Sequence, residues 1–230
     1  MKRVKNNMRC TPFLHCLLLF SCACKPATEK AYEQSFALRA ARDVDSAGNT
    51  AMARYYLQRA MAEPAARTEA ETFRRRIEER RLRTEDCVEA KKTDLAINQY
   101  PRIRHKHLFQ MGVCLEEAGD AARALKFYEM AERANSAQPQ LYIRRALLHF
   151  KTGNTVAATA DFERAVALGR EYPPALLNLA LHRVAIGEKA GAESLLAQLK
   201  PVRPHYAEVV ADALQHQKEI AVFFGGKHGW

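Results

Sequence analysis

The chain is predicted to be all-α, an array of antiparallel helix pairs closed by a C-terminal helix, and three observations carry that prediction. Gly and Pro are few in its 230 residues, 10 and 9, and 48% of the residues are hydrophobic, enough for a substantial core. Val and Ile nowhere form the alternating runs of half-buried strands. The third observation is self-similarity at a spacing of 34 residues. Leu108, Met111-Gly112, Gly119, Ala124, Tyr128 and Ala131 align with Tyr142, Arg145-Ala146, Gly153, Ala158, Phe162 and Ala165. These align in turn with Leu176, Leu179-Ala180, Gly187, Ala192, Leu196 and Leu199, with no insertion.

The N-terminus stands apart from this array. Lys2, Arg3, Lys5 and Arg9 precede an apolar stretch from Phe13 to Phe20 that is too short to span a bilayer. A basic region, a short apolar region and then small residues make the layout of an export signal. Leu19-Phe20-Ser21-Cys22 resembles a bacterial lipobox, so residues 1–21 read as a lipoprotein signal peptide and Cys22 as the acylated residue. Cys24 is the alternative. Residues 22–30 are then a linker. Removing residues 1–21 takes away four basic residues and no acidic one, lowering the formal charge from +10 to +6. Neither Ala23 nor Lys25 is the Asp that retains enteric lipoproteins in the inner membrane. The resemblance thus implies an outer-membrane lipoprotein facing the periplasm, held by its acyl chains; the alternative is a soluble secreted or periplasmic protein.

Residues 31–203 hold about five helix pairs. The first repeats the pattern with Ala37, Ala40-Ala41, Gly48, Ala53, Leu57 and Ala60. Gly48 and Gly119 are 71 residues apart, two periods plus three, so a degenerate pair fills 67–104, without a turn glycine. Its stretch "RTEAETFRRRIEERRLRTED" alternates Glu and Arg, so that Glu71–Arg75 and Glu79–Arg83 can pair along a solvated helix face. The three regular pairs follow. Small residues at 112, 146 and 180 and at 124, 158 and 192 let two helices approach, and Tyr128, Phe162 and Leu196 fill the space between neighbouring pairs. Gly119, Gly153 and Gly187 end the first helix of each pair in the conformation glycine adopts cheaply. This pattern resembles the tetratricopeptide repeat, and the resemblance implies a right-handed superhelical solenoid. Residues 204–230 read as the capping helix such arrays need, Pro204 to about Ile220, followed by a tail in which Phe223 and Phe224 fold back on the cap. Cys87 and Cys114 are either oxidised to each other, as export would allow, or two separate thiols; the sequence leaves both open.

In the repeat family the first helices line the concave face. By that register Phe109, Ile143 and Leu177, Val113, Leu147 and Leu181, and Phe150 and Val184 make an apolar groove, fitted to an apolar helix or extended segment of a protein partner. No nucleophile motif, phosphate-cradling loop or metal-ligand spacing occurs, so no catalytic residue, cofactor or metal site is expected. The acid-compensated charge of an exported chain argues against nucleic acid. A lipid-anchored array of such repeats resembles the small outer-membrane repeat lipoproteins, most closely the type IV pilus pilotins. That resemblance implies a membrane-anchored adaptor or assembly factor, in the pilotin case for a secretin. The alternatives are a scaffold for outer-membrane protein assembly or peptidoglycan enzymes, and a carrier autoinhibited by its own tail.

Overall fold

The computed structural model describes residues 35–82, 84–97, 101–169 and 172–225. The lipobox, both candidate acylated cysteines and Trp230 lie outside them. The described residues form twelve α-helices and no strand: α1 (Phe36–Ser46), α2 (Thr50–Ala62), α3 (Arg67–Leu82), α4 (Thr84–Ile97), α5 (Pro101–Glu117), α6 (Ala121–Ala134), α7 (Pro139–Lys151), α8 (Thr155–Leu168), α9 (Pro173–Ala185), α10 (Lys189–Val202), α11 (Pro204–Gln215) and α12 (Gln217–Gly225). The described residues form an all-α repeat solenoid of antiparallel helix pairs. None of the described helices is long and apolar enough to cross a membrane.

One local device sets the pairs α1–α2, α5–α6, α7–α8 and α9–α10. Gly48, Gly119, Gly153 and Gly187 all have φ between +84° and +88°, where a Cβ is disfavoured. The next residue, Asn49, Asp120, Asn154 or Glu188, then donates its N–H back to the carbonyl of Val44, Leu115, His149 or Arg183, at 2.8–2.9 Å. This is the six-to-one bond that closes a helix through a left-handed glycine. Three of these residues also begin the next helix. Asn49, Asp120 and Asn154 accept from the N–H of Met52, Arg123 and Ala157 through their side chains, at 3.0–3.2 Å. Gly plus Asn or Asp therefore stops one helix and starts the next within two residues. Inside a pair, size is matched across the contact: a Cβ on Gly112 would lie 2.5 Å from the buried Tyr128 ring, so only glycine fits opposite that aromatic.

Residues 67–104 depart from this plan. There is no glycine between α3 and α4, and α3 packs mainly on α2 while α4 packs mainly on α5, the two touching each other little. The face α3 turns inward is thin: Ala70 and Ile77 are buried and Phe73 half-buried, and the exposed arginines Arg74 and Arg75 pair with Glu78 and Glu79. Arg75 thus meets Glu79 at 3.9 Å, and Arg83 lies outside the described residues.

The splayed pair bends the array, and its first pair returns onto its end. Helix α1 packs against α11, and α12 lies against α9. The Tyr56 hydroxyl donates to the carbonyl of Val209 at 3.1 Å, and the Arg59 guanidinium donates two bonds to the Asp212 carboxylate. Tyr55 donates to Glu219 at 3.3 Å, its ring lying 5.5 Å from that of Phe223. The cap also differs from the single helix expected over 204–220. It breaks at His216 into α11 and α12, and Phe223 and Phe224 reach past it to the first pair and to α7.

Candidate partner-binding face

The repeat register does bring the expected groove residues together on α5, α7 and α9, but as a covered surface. Ile143, Leu177, Leu181 and Val184 are buried, at 3% exposure or less. Phe109, Val113, Leu147 and Phe150 are half-buried. The Phe109 ring lies 5.9 Å from that of Tyr128, and Phe150 sits between His182 at 5.0 Å and Phe224 at 6.0 Å. The expectation of an open apolar groove over all three repeats is therefore corrected. The turn between α1 and α2 and the end of α12 lie on its C-terminal half, because the bend at α3–α4 returns the first pair across it.

Asn178 marks the contact. It is fully buried, and its amide donates to the carbonyl of Ala47 at 2.8 Å and to that of Pro174 at 2.9 Å, while its own Oδ1 has no partner. One turn further along α9, His182 is also buried. Both residues line a cavity of about 20 Å³ together with Asn49, Met52, Leu181 and Phe224. His182 Nε2 lies 2.8 Å from Thr159 Oγ1, and that hydroxyl spends its proton on the carbonyl of Thr155 at 2.9 Å. Thr159 Oγ1 is therefore the acceptor, Nε2 carries the imidazole proton, and Nδ1 is a bare acceptor, which has no partner.

Burial, aided by the charge of Arg183, lowers the His182 pKa to about 4. An unfolded imidazole binds its proton near pH 6.5, and the folded one does so only near pH 4. Stability is therefore fully present above about pH 6.5 and is lost as the pH falls toward 4. The expected loss between pH 7 and pH 5 is about 2 kcal/mol. His149, lowered by burial as well, acts in the same direction, so the His182 share is read by difference. His182→Leu should flatten that part of the profile in urea titrations at the two pH values. Equal slopes for parent and variant would refute the assignment.

Two open clefts flank the covered half. One, of about 450 Å³, is lined by Lys106, Phe109, Gln110, Gln140, Ile143 and Tyr172 beside the α1–α2 turn. Of the predicted groove residues, Phe109 and Ile143 line it. The other, of about 140 Å³, lies between α3 and the ends of α5 and α7, with Arg80, Glu116, Glu117, Arg144 and Lys151 on its walls. Its charges are largely matched within the fold. Arg144 lies 3.3 Å from Glu116 and 3.6 Å from Glu117, Arg80 meets Asp45 at 3.0 Å, and Tyr128 donates to Glu116. Burial raises the Glu117 pKa.

Cys87 and Cys114 form a disulfide joining α4 to α5, their Cα atoms 5.8 Å apart. Among the described residues no three His, Cys, Asp or Glu side chains are grouped to hold a metal; His107 faces Asp94 at 3.4 Å. The repeat register marks His182 as a core histidine, but reading the repeat family's concave positions alone missed Asn178 as a polar group of this face. The signal for His182 was present: its column otherwise holds Cys114 and Leu148, both buried.

No protein-family model matches the chain, nor does any curated protein sequence. One solved structure, described as a functional characterisation of Pseudomonas aeruginosa PilF, aligns with 81% of this chain and 100% of its own at 19% sequence identity, with a TM-score of 0.46.

Proposed function

We propose that the protein is a non-enzymatic protein–protein interaction module, held at the outer membrane by an acylated Cys22 (or Cys24), that acts as an adaptor or assembly factor for an envelope complex. The observation that carries the reading is the open part of the concave face, where half-buried Phe109 meets exposed Gln110 and Gln140 beside Tyr172. A wall of this kind takes an apolar side chain and hydrogen-bonds the chain that carries it. The disulfide supports export to an oxidising compartment, and the signal-like N-terminus points the same way. Within the envelope, the sequence layout of a repeat array directly behind a lipobox favours assembly of a secretin of the type IV pilus kind over a scaffold for other outer-membrane or peptidoglycan machinery.

A photo-crosslinking residue at Gln140 in the native host tests this. Capture of a secretin or another outer-membrane subunit is expected, and Phe109→Glu should abolish that capture while α-helical content is retained. If Gln140 captures no envelope protein and Phe109→Glu leaves envelope assembly intact, the reading fails.

A further inference from the structure

The helices fall into two lobes linked in sequence by one residue. Helices α1, α2 and α3 pack on one another in order, and α4 to α12 do the same, but α3 and α4 touch each other little. Inside the first lobe Arg42 meets Glu69 and Arg80 meets Asp45, tying α1 to α3. What joins the two lobes comes from far along the chain. Leu38, Met52 and Tyr56 share one continuous apolar core with Leu177, Val209 and Ile220. Across that seam Tyr56 bonds Val209 and Arg59 bonds Asp212. Leu82 ends α3 and Thr84 opens α4, so only Arg83 lies between them. Residues 67–97 contain no Gly and no Pro. The other pairs turn at a left-handed glycine, whereas nothing in this stretch is a residue that stops a helix.

We propose that a second copy of this chain is a partner: two chains exchange α1–α3, each set seating on α9, α11 and α12 of the other copy, while α3 and α4 of each chain become one helix. The partner supplies the same residues to the seam, so the exchange keeps every buried contact. The apolar core that closes one chain on itself is thereby the interface of the dimer. The seam is too deeply buried to open readily, and exchange takes place as the chains fold. At the hinge the local balance favours the straight form. A fused helix regains the backbone hydrogen bonds that two helix ends forgo, and it sets Glu79 with Arg83 and Arg81 with Glu85 at i,i+4 spacing. Opposing it is the entropy of association, so concentration decides between the two forms. In the dimer the cleft of Arg144 and Lys151 is walled by Ile77 and Arg80 of the partner subunit.

The test refolds the full mature chain from denaturant, with its disulfide intact, at low and at high protein concentration. Light scattering after size exclusion should show a growing share of twice the monomer mass at high concentration, with helical content retained. Thr84→Pro should weaken dimer formation by at least about a hundredfold. Proline is tolerated at the first position of α4 but breaks a helix running through it. Two further variants tell exchange from side-by-side pairing of closed chains. Arg59→Asp and Asp212→Arg each set like charges across the seam of a chain closed on itself. Refolded together, the two restore opposite charges at both seams only by exchanging α1–α3. The mixed dimer should therefore exceed either single-variant dimer on the order of tenfold. Should either variant fail to fold alone, recovery of native helical content in the mixture reads the exchange directly. A parent chain that is monomeric at every concentration would overturn the proposal. So would undiminished dimer in Thr84→Pro, or mixed and single-variant dimers in statistical proportion.

Discussion

Arg145→Ala is expected to cost about 3–5 kcal/mol of folding stability, the range for breaking a buried pair and leaving its partner charged. The Arg145 guanidinium donates through Nε and Nη2 to both oxygens of Asp161, each at 2.7 Å, and through Nη1 to Glu132. It lies 5.3 Å from the centre of the Tyr142 ring, whose hydroxyl donates to Glu132 at 3.0 Å. One side chain on α7 thereby ties α6 to α8. Hydrogen bonding from Arg145 holds Glu132 below the usual carboxylate range. Asp161 is only 8% exposed, so without the guanidinium its charge is left largely out of water; His149 lies 3.9 Å away, and burial holds it toward the neutral form. Replacing both partners with apolar residues, Arg145→Met with Asp161→Leu, should recover most of the loss, since the pair offsets its own desolvation. Urea unfolding of the two variants decides the matter. A single variant within 1 kcal/mol of the parent would show that the ion pair contributes little.

The same pair shows how much of the molecule was legible beforehand. Arg145 stands in a repeat column otherwise filled by Met111 and Leu179, and Asp161 in one filled by Phe127 and Leu195. Two polar exceptions in apolar columns of one repeat are a signature of compensation, and the sequence alone could have paired them. The helix pairs themselves were legible because periodicity, turn glycines and small-residue contacts all act within about 34 residues. What was not legible is where the first pair sits. That depends on the angle between α3 and α4, which no local motif encodes: the pair lacks both the turn glycine and the small-against-large contact that fixes the other angles. Leu177, Leu181 and Val184 share one face of the first helix α9, but whether such a face meets solvent or another part of the chain depends on that angle. The bonds that close the chain, Arg59 to Asp212 and Asn178 to Ala47, join residues 153 and 131 apart. They leave no periodic trace.

Reduction of the Cys87–Cys114 disulfide is expected to lower stability by about 3.5 kcal/mol, the chain-entropy value for a loop closed by cysteines 27 residues apart. The physical reason for a staple here lies in α4 itself. Among its described residues, the apolar side chains packed on the neighbouring core are Val88 and Leu95, both half-buried. Its charged groups largely bond within the helix, as in Lys91–Asp94 and Lys92–Glu89. A helix so lightly packed has little burial with which to offset its own ordering, and the covalent link to Cys114, itself buried on α5, replaces contacts that the regular pairs make through their aromatic and alanine positions. The loss should accordingly be uneven. In hydrogen exchange, α4 amides should lose protection on reduction while those of α7 to α9 keep theirs, and Cys87→Ser should reproduce the pattern without reductant. Uniform loss across the chain would instead make the disulfide a brace for the whole array; no loss at all would mean that α4 is held by its packing on α5. Because α4 is also the link through which the first pair and α3 are joined to the regular repeats, loosening it removes a constraint on the angle that returns the α1–α2 turn to Asn178. Reduction should then raise exchange at that turn as well, coupling the staple on α4 to the cover over the groove.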